Sequence, residues 1–353
     1  RDQARMIGAL YAANTVGAIL GSLGASFVLV AWIGSHGAQR VLMGIAVVSA
    51  LAALWPLAGT ARGTGSRDRF GVAAVLIIAV AAGLGTFAVP GIPGVLVGYG
   101  RYSATRVGQA EYVYVGEGIT SAVAVSRLSN GVMNYHNAGK VQASSEPQDM
   151  RLQRMLGHLT TLTPANPRSV LVIGCGAGAT AGAVAIDPRV ERVTIAEIEP
   201  LVIRTVSAHF GRHNWDVVHN PKVTMVIDDG RHYLQTTRLK FDAITSDPLD
   251  PWVKGAAMLY TREFFQLVRS RLNPGGVVTL FVQLYESSEE AVKSEIATFM
   301  DAFPQGIVFG NELDGSGYDL VLFGQLEPAP LDVDLIETRL QSPEYALVRQ
   351  SLR

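Results

Sequence analysis

The chain has 353 residues, with 29 basic and 30 acidic side chains and a formal net charge of −1. That length exceeds what one core needs, so at least two structural units are expected. The near-neutral balance lacks the basic surplus that a phosphate backbone demands, which sets nucleic acid aside as a partner, and the single cysteine, Cys175, excludes an intramolecular disulfide framework.

Residues 1–100 hold only Asp2 and Asp68 as acids, six arginines and no lysine. Uncharged runs of 34, 21 and 31 residues separate Arg5 from Arg40, Arg40 from Arg62, and Arg69 from Arg101. Each is longer than the roughly 20 apolar residues that cross a hydrocarbon core. Three transmembrane helices are expected, near 6–34, 40–59 and 70–97, with Pro90 and Pro93 marking the end of the third. In the first, Ala13, Gly17, Gly21 and Ala25 recur every fourth residue, a small-residue face suited to packing on another membrane helix, within the chain or in a complex. Asn14 in the same segment is expected to hydrogen-bond across a helix interface. A multi-pass protein of the cell membrane, in contact with lipid, follows from these runs. With three spans, Arg1, Arg5, Arg62, Arg67 and Arg69 share one side, opposite Arg40, Arg101 and Arg106; the positive-inside bias then places the remaining domain outside the cytoplasm, whereas a nucleotide ligand favours the inside. The side stays open. The start at Arg1, not Met, reads as a piece of a longer protein.

Four segments are expected: the helices of 1–100, a small β-hairpin region over 101–148, a doubly wound nucleotide-binding domain over 149–328, and a helical tail over 329–353. Residues 111–145 alternate β-formers with turn residues. From 170 the pattern becomes strand, helix, strand, with strands at 170–174, 192–197, 222–227, 241–246, 275–283 and 318–323. Thr261 caps a helix in "REFFQLVRSRLNPGG", which Pro274-Gly275 should stop.

In such a sheet the ligand lies beyond the carboxyl ends of the strands. The first strand ends in Gly174, Gly176 and Gly178, which allow close backbone approach to a ligand at a helix N-terminus. Glu197 ends the second, at the distance where an acid meets ribose hydroxyls. Asp228 and Asp229 end the third, where an acid can accept from an adenine amino group, and Asp247 and Asp250 flank a proline after the fourth. The glycine spacing differs from the G-x-G-x-x-G of dinucleotide enzymes and suits a sulfonium nucleotide. His209 and His213 lack a third ligand and are read as surface or capping residues, so no metal is expected. His158 is read as an interhelical hydrogen bonder, and Trp252 as a packing residue or a lid over the site.

The stretches "VLVIGCGAGA", "VTIAEIEPLVI", "VTMVIDDG", "FDAITSDPLDP", "LYTREFF" and "LNPGGVVTLFVQ" resemble, in order and spacing, the spermidine synthases, the polyamine aminopropyltransferases. The likeness covers about residues 111–325, several of its motifs shade into class I methyltransferases, and "LYAANTVGAILGS" looks like the hydrophobic segment of the membrane-bound branch. It implies a Rossmann-like domain preceded by a small β region. It also implies no tightly bound cofactor but a co-substrate, decarboxylated S-adenosylmethionine or S-adenosylmethionine, over Gly174 to Gly178, with ribose on Glu197, adenine near Asp229 and Gln153 near the donor. Asp247 then matches the acid that deprotonates the attacking amine, and Asp250 the one that holds a diamine cation. The chain departs from the family pattern at Ala177, where an aspartate is usual, at Leu152, Arg154 and Asn130, and in "ELDGSGYDLVL". Three functions fit: an aminopropyl transfer to an amine, a degenerate subunit with a structural role in a larger membrane complex, and a methyl transfer from S-adenosylmethionine.

Overall fold

The computed structural model describes residues 2–58, 67–313 and 316–352, so Arg1, Gly59, Arg62 and the Asp314-Gly315 pair of "ELDGSGYDLVL" lie outside the described residues. The chain divides into two units, Arg1–Pro93 and Gly94–Arg353.

The first unit is helical: α1 (Asp2–Gly24) passes through a π-helical turn at Ala25–Leu29 into α2 (Val30–Ala58), and α3 (Arg67–Ala88) follows. Gly34, at φ 69° and ψ 173°, breaks the run inside α2, so the separation of the first two expected helices falls there. The third ends at Ala88, short of residue 97, because Pro90 and Pro93 cannot continue a helix. Gln3–Leu54 has a mean hydropathy of 2.1 in its most apolar stretch, none of which is buried; Val72–Ala88 is a shorter apolar helix. The Arg40 guanidinium donates to the carbonyls of Phe87 and Val89, at 3.0 and 3.4 Å. It thereby satisfies the carbonyls at the end of α3, where the helix dipole is negative, and fixes α3 antiparallel to the second half of α2. Side chains built on Gly17 and Gly21 would meet nothing within 4 Å, so the small-residue face is open among the described residues.

The second unit starts with α4 (Gly94–Tyr99), which packs closely over the Tyr112 ring because Gly98 has no side chain: a Cβ there would come within 2.8 Å of that ring. Strands β1 (Ala110–Glu117), β2 (Ala122–Leu128), β3 (Met133–Asn137) and β4 (Lys140–Ser144) form an antiparallel meander in that order. Helix α5 (Pro147–Leu162) leads to β5 (Ser169–Ile173), α6 (Ala179–Ala185), β6 (Arg192–Glu197), α7 (Pro200–His209), β7 (Val223–Ile227), α8 (Gly230–Thr236), β8 (Phe241–Ser246), α9 (Arg262–Arg271) and β9 (Leu272–Gln283). Then come α10 (Glu289–Ala302), β10 (Ile307–Leu313), β11 (Ser316–Gln325) and the tail helices α11 (Val333–Gln341) and α12 (Ala346–Ser351). The larger sheet runs β10-β11-β9-β8-β5-β6-β7. β7, β6, β5, β8 and β9 are parallel, and β11 and β10 antiparallel.

Central β5 reads as an unbroken apolar run because both its faces are covered: Val170, Leu171 and Val172 are essentially inaccessible. Thr261 caps α9 as expected, accepting from the Phe264 amide. Pro274-Gly275 lies inside β9, in its irregular first pairing with β8, since the helix has already ended at Arg271. His158 bonds Ser351 of α12 at 2.7 Å, an interhelical contact.

Candidate functional site

Ile173, the last residue of β5, pairs with Ser246, the last of β8, so Gly174 and Asp247 leave the sheet side by side where the strand order reverses. Such a switch point opens a crevice for a ligand. Gly174, Gly176 and Gly178 all have positive φ. At Gly178, which caps α6, a Cβ would also press within 2.9 Å of Asn214 and Val206; at Gly176 it would meet nothing, so that backbone faces open space. A cavity of about 580 Å³ lies over this turn, within the usual range for small-molecule sites. Gly174, Gly176, Glu197, Asp229, Asp247, Asp250 and Gln153 all line it; Gly178 does not, and supports the turn from behind.

Glu197 is buried and pinned by backbone: its Oε2 accepts from the Cys175 amide at 2.8 Å and its Oε1 from the Glu199 amide at 2.9 Å. Burial raises its carboxyl, as it does the Cys175 thiol. Each oxygen keeps a second acceptor position. Glu199, two residues on, is a fastener instead. It accepts from Thr120, Ser121 and Leu201, joining the β1–β2 turn to α7, and these bonds outweigh burial to hold its carboxyl below the ordinary value. Asp229 caps α8 through the His232 amide at 2.9 Å and lines the cavity, whereas Asp228 pairs with the His232 ring. Gln153 is buried, donating to the carbonyls of Ser144 and Asp149.

Burial pushes the Asp247 carboxyl up to about 7, with the negative charge of Asp149 adding to it and a 3.3 Å hydrogen bond from Thr180 opposing it. Asp250 is only 3% exposed and accepts from Lys140 Nζ at 2.8 Å. Lys140 also meets Glu286 at 3.0 Å, and its ammonium lies 5.5 Å from the centre of the Trp252 ring and 4.8 Å from that of Tyr285. Trp252 is itself half exposed.

Sequence reasoning missed Lys140, Asp149 and Asp319, all of which line the cavity. Asp319 is fully buried on β11, and burial raises its carboxyl to about 7, with Asp149 and Asp247 adding to the rise. Asn311 donates to one of its oxygens at 3.4 Å, while Oδ1 has no partner among the described residues. Asp149 accepts from Ser144 at 2.6 Å and is also raised by burial. One signal was available: Asp319 interrupts the otherwise apolar strand "YDLVLF", where a charge needs a reason. The departures from the family pattern divide. Ala177 and Leu152 line the cavity with apolar side chains, while Arg154 turns away to stack on Trp215 and donate to Ser351, and Asn130 closes the β2–β3 turn. His209 and His213 lie against Tyr114 and Phe210.

A profile of the spermine/spermidine synthase domain matches residues 149–309. Polyamine aminopropyltransferase 1 of Pseudomonas aeruginosa is 33% identical over 157 residues, which cover 43% of this chain and 54% of that protein. Polyamine aminopropyltransferase 2 of Hyperthermus butylicus is 38% identical over 141 residues, covering 40% and 46%. The chain thus spans about half the length of these curated relatives. The crystal structure of spermidine synthase from Thermotoga maritima superposes with a TM-score of 0.56 over 68% of this chain and 87% of that one, at 21% identity, a likeness of fold. Domain, order of motifs and sheet agree: residues 149–309 of this chain carry a spermine/spermidine synthase domain.

Proposed function

We propose that this protein is a membrane-anchored transferase that moves an aminopropyl group from decarboxylated S-adenosylmethionine to an amine. The nucleotide lies over Gly174 to Gly178, its ribose hydroxyls on Glu197 and its adenine near Asp229, with Gln153 beside the donor. Asp247 is the base, and Asp250 belongs to the acceptor half. The observation that carries the reading is Asp247: a carboxyl beside the glycine turn, raised to about 7, poised to accept a proton near neutral pH.

An ammonium has no lone pair to attack with. Once its proton passes to Asp247, the nitrogen forms a bond to the methylene carbon attached to sulfur. The carbon–sulfur bond breaks, its electron pair stays on sulfur, and a neutral thioether nucleotide leaves. Glu197, with both oxygens held by backbone amides, is preorganised for the ribose and costs little reorganisation. Anchoring rests on the exposed apolar run Gln3–Leu54, whose side chains, Leu20, Phe27 and Trp32 among them, need lipid or protein cover.

The test is turnover and binding of the purified full chain with decarboxylated and ordinary S-adenosylmethionine, with and without amines. Aminopropyl transfer is expected. Methyl transfer alone selects a methyltransferase, and binding of neither nucleotide leaves a structural subunit.

A further inference from the structure

We infer that Lys140 sets the acceptor class: its ammonium already occupies Asp250, so the site takes an acceptor with one amine in place of a diamine. The inference rests on the transferase reading above and deepens it.

The placement of Lys140 is built in. Ala138 and Gly139, both at positive φ, make the two-residue turn between β3 and β4, and Asn137 pairs with Lys140 across it. Lys140 is therefore the first residue of β4, and its side chain reaches the cavity with only a quarter of its surface exposed. Around its ammonium stand two carboxylates, Asp250 and Glu286, and two aromatic faces, Trp252 and Tyr285. That is the chemistry of a site for an organic ammonium, filled by the chain itself. Glu286 holds its carboxylate there from a left-handed backbone, φ 52°, that a non-glycine residue seldom adopts.

A diamine's distal ammonium would have to displace Lys140 from a carboxylate that is almost wholly buried. The exchange replaces one charge-assisted bond by another and takes from Lys140 the more buried of its two carboxylates, leaving it Glu286 alone, so the second amine contributes little. A single ammonium meets no such ion-paired competitor at Asp149, Asp247 and Asp319, three carboxylates that line the cavity and are raised by burial, Asp319 with one buried oxygen that has no partner among the described residues.

Calorimetry with 1-aminobutane and 1,4-diaminobutane, with and without 5′-methylthioadenosine as the thioether nucleotide, reads the amine preference separately from the nucleotide site. The wild-type protein should bind the two amines within about threefold of each other, and Lys140→Met should gain about tenfold for the diamine alone. Glu286→Gln, a change at an exposed side chain, leaves Lys140 with Asp250 as its one carboxylate of the pair and should bind the diamine no better than the wild type does. A wild-type preference of tenfold or more for the diamine, a diamine affinity unchanged or weakened in Lys140→Met, or a tenfold gain for the diamine in Glu286→Gln overturns the inference. Loss of 5′-methylthioadenosine binding with the amine preference as expected counts against the transferase reading alone.

Discussion

The two halves of the cavity are held by different means. The half proposed for the nucleotide is made of backbone: strand ends in register, three glycines at positive φ, and Glu197 fixed by two main-chain amides. The half proposed for the acceptor is made of side chains brought from distant elements: Lys140 from β4, Asp149 from α5, Asp250 from the loop after β8, Glu286 from the loop after β9 and Asp319 from β11. Backbone geometry ties the first half to the fold and resists substitution. The second can be retuned one side chain at a time.

The contrast is broken most sharply at Asp247, where both halves meet. Asp247→Asn keeps the shape of the loop but removes the base, and turnover should fall about 10²- to 10⁴-fold while nucleotide affinity stays within a few-fold, by steady-state kinetics and calorimetry. In the wild-type protein kcat/KM should rise with pH through about 7, because the base acts only when ionised and its carboxyl is raised to that value. A flat profile would remove Asp247 from that role. Glu197→Gln attacks the nucleotide half alone: affinity for 5′-methylthioadenosine should drop about tenfold, the worth of a hydrogen bond to a charged group, with amine affinity unchanged. Gly178→Ala tests whether that half is a backbone device. Its φ of 78° and the crowding by Asn214 and Val206 should cost about 1–3 kcal/mol of stability, seen as a lowered unfolding midpoint.

The same division explains what the sequence discloses. Gly174, Glu197 and Asp229 stand at fixed offsets from apolar strands, so a local pattern finds them. The two glutamates of "EIEP" look alike in the sequence; only the fold sends Glu197 to the cavity and Glu199 to Thr120. Lys140 and Asp250 are 110 residues apart and meet through a hairpin turn and a loop that no spacing rule links. β10 goes unread because it is an edge strand containing Gly310 and Asn311, poor strand formers, yet Asn311 is what holds Asp319.

Asp319→Asn should have the smallest effect and the clearest sign. In the folded protein burial lifts this carboxyl to about 7, whereas in the unfolded chain it titrates near its ordinary value of 3.8. Between those values the unfolded chain has released the proton and the folded protein keeps it, so the unfolded state binds fewer protons and stability falls as pH rises. The contribution is fully favourable below about 4 and is lost by about 7. Thermal unfolding of the ligand-free wild type should therefore show a midpoint that declines from pH 5 to pH 8. The asparagine variant should show a shallower decline and a midpoint a few degrees higher at pH 8, where it spares the fold a buried charge beside Asp149 and Asp247. Equal slopes would mean that Asp319 is already paired in solution, and the acceptor half would then hold one free carboxylate fewer for its amine.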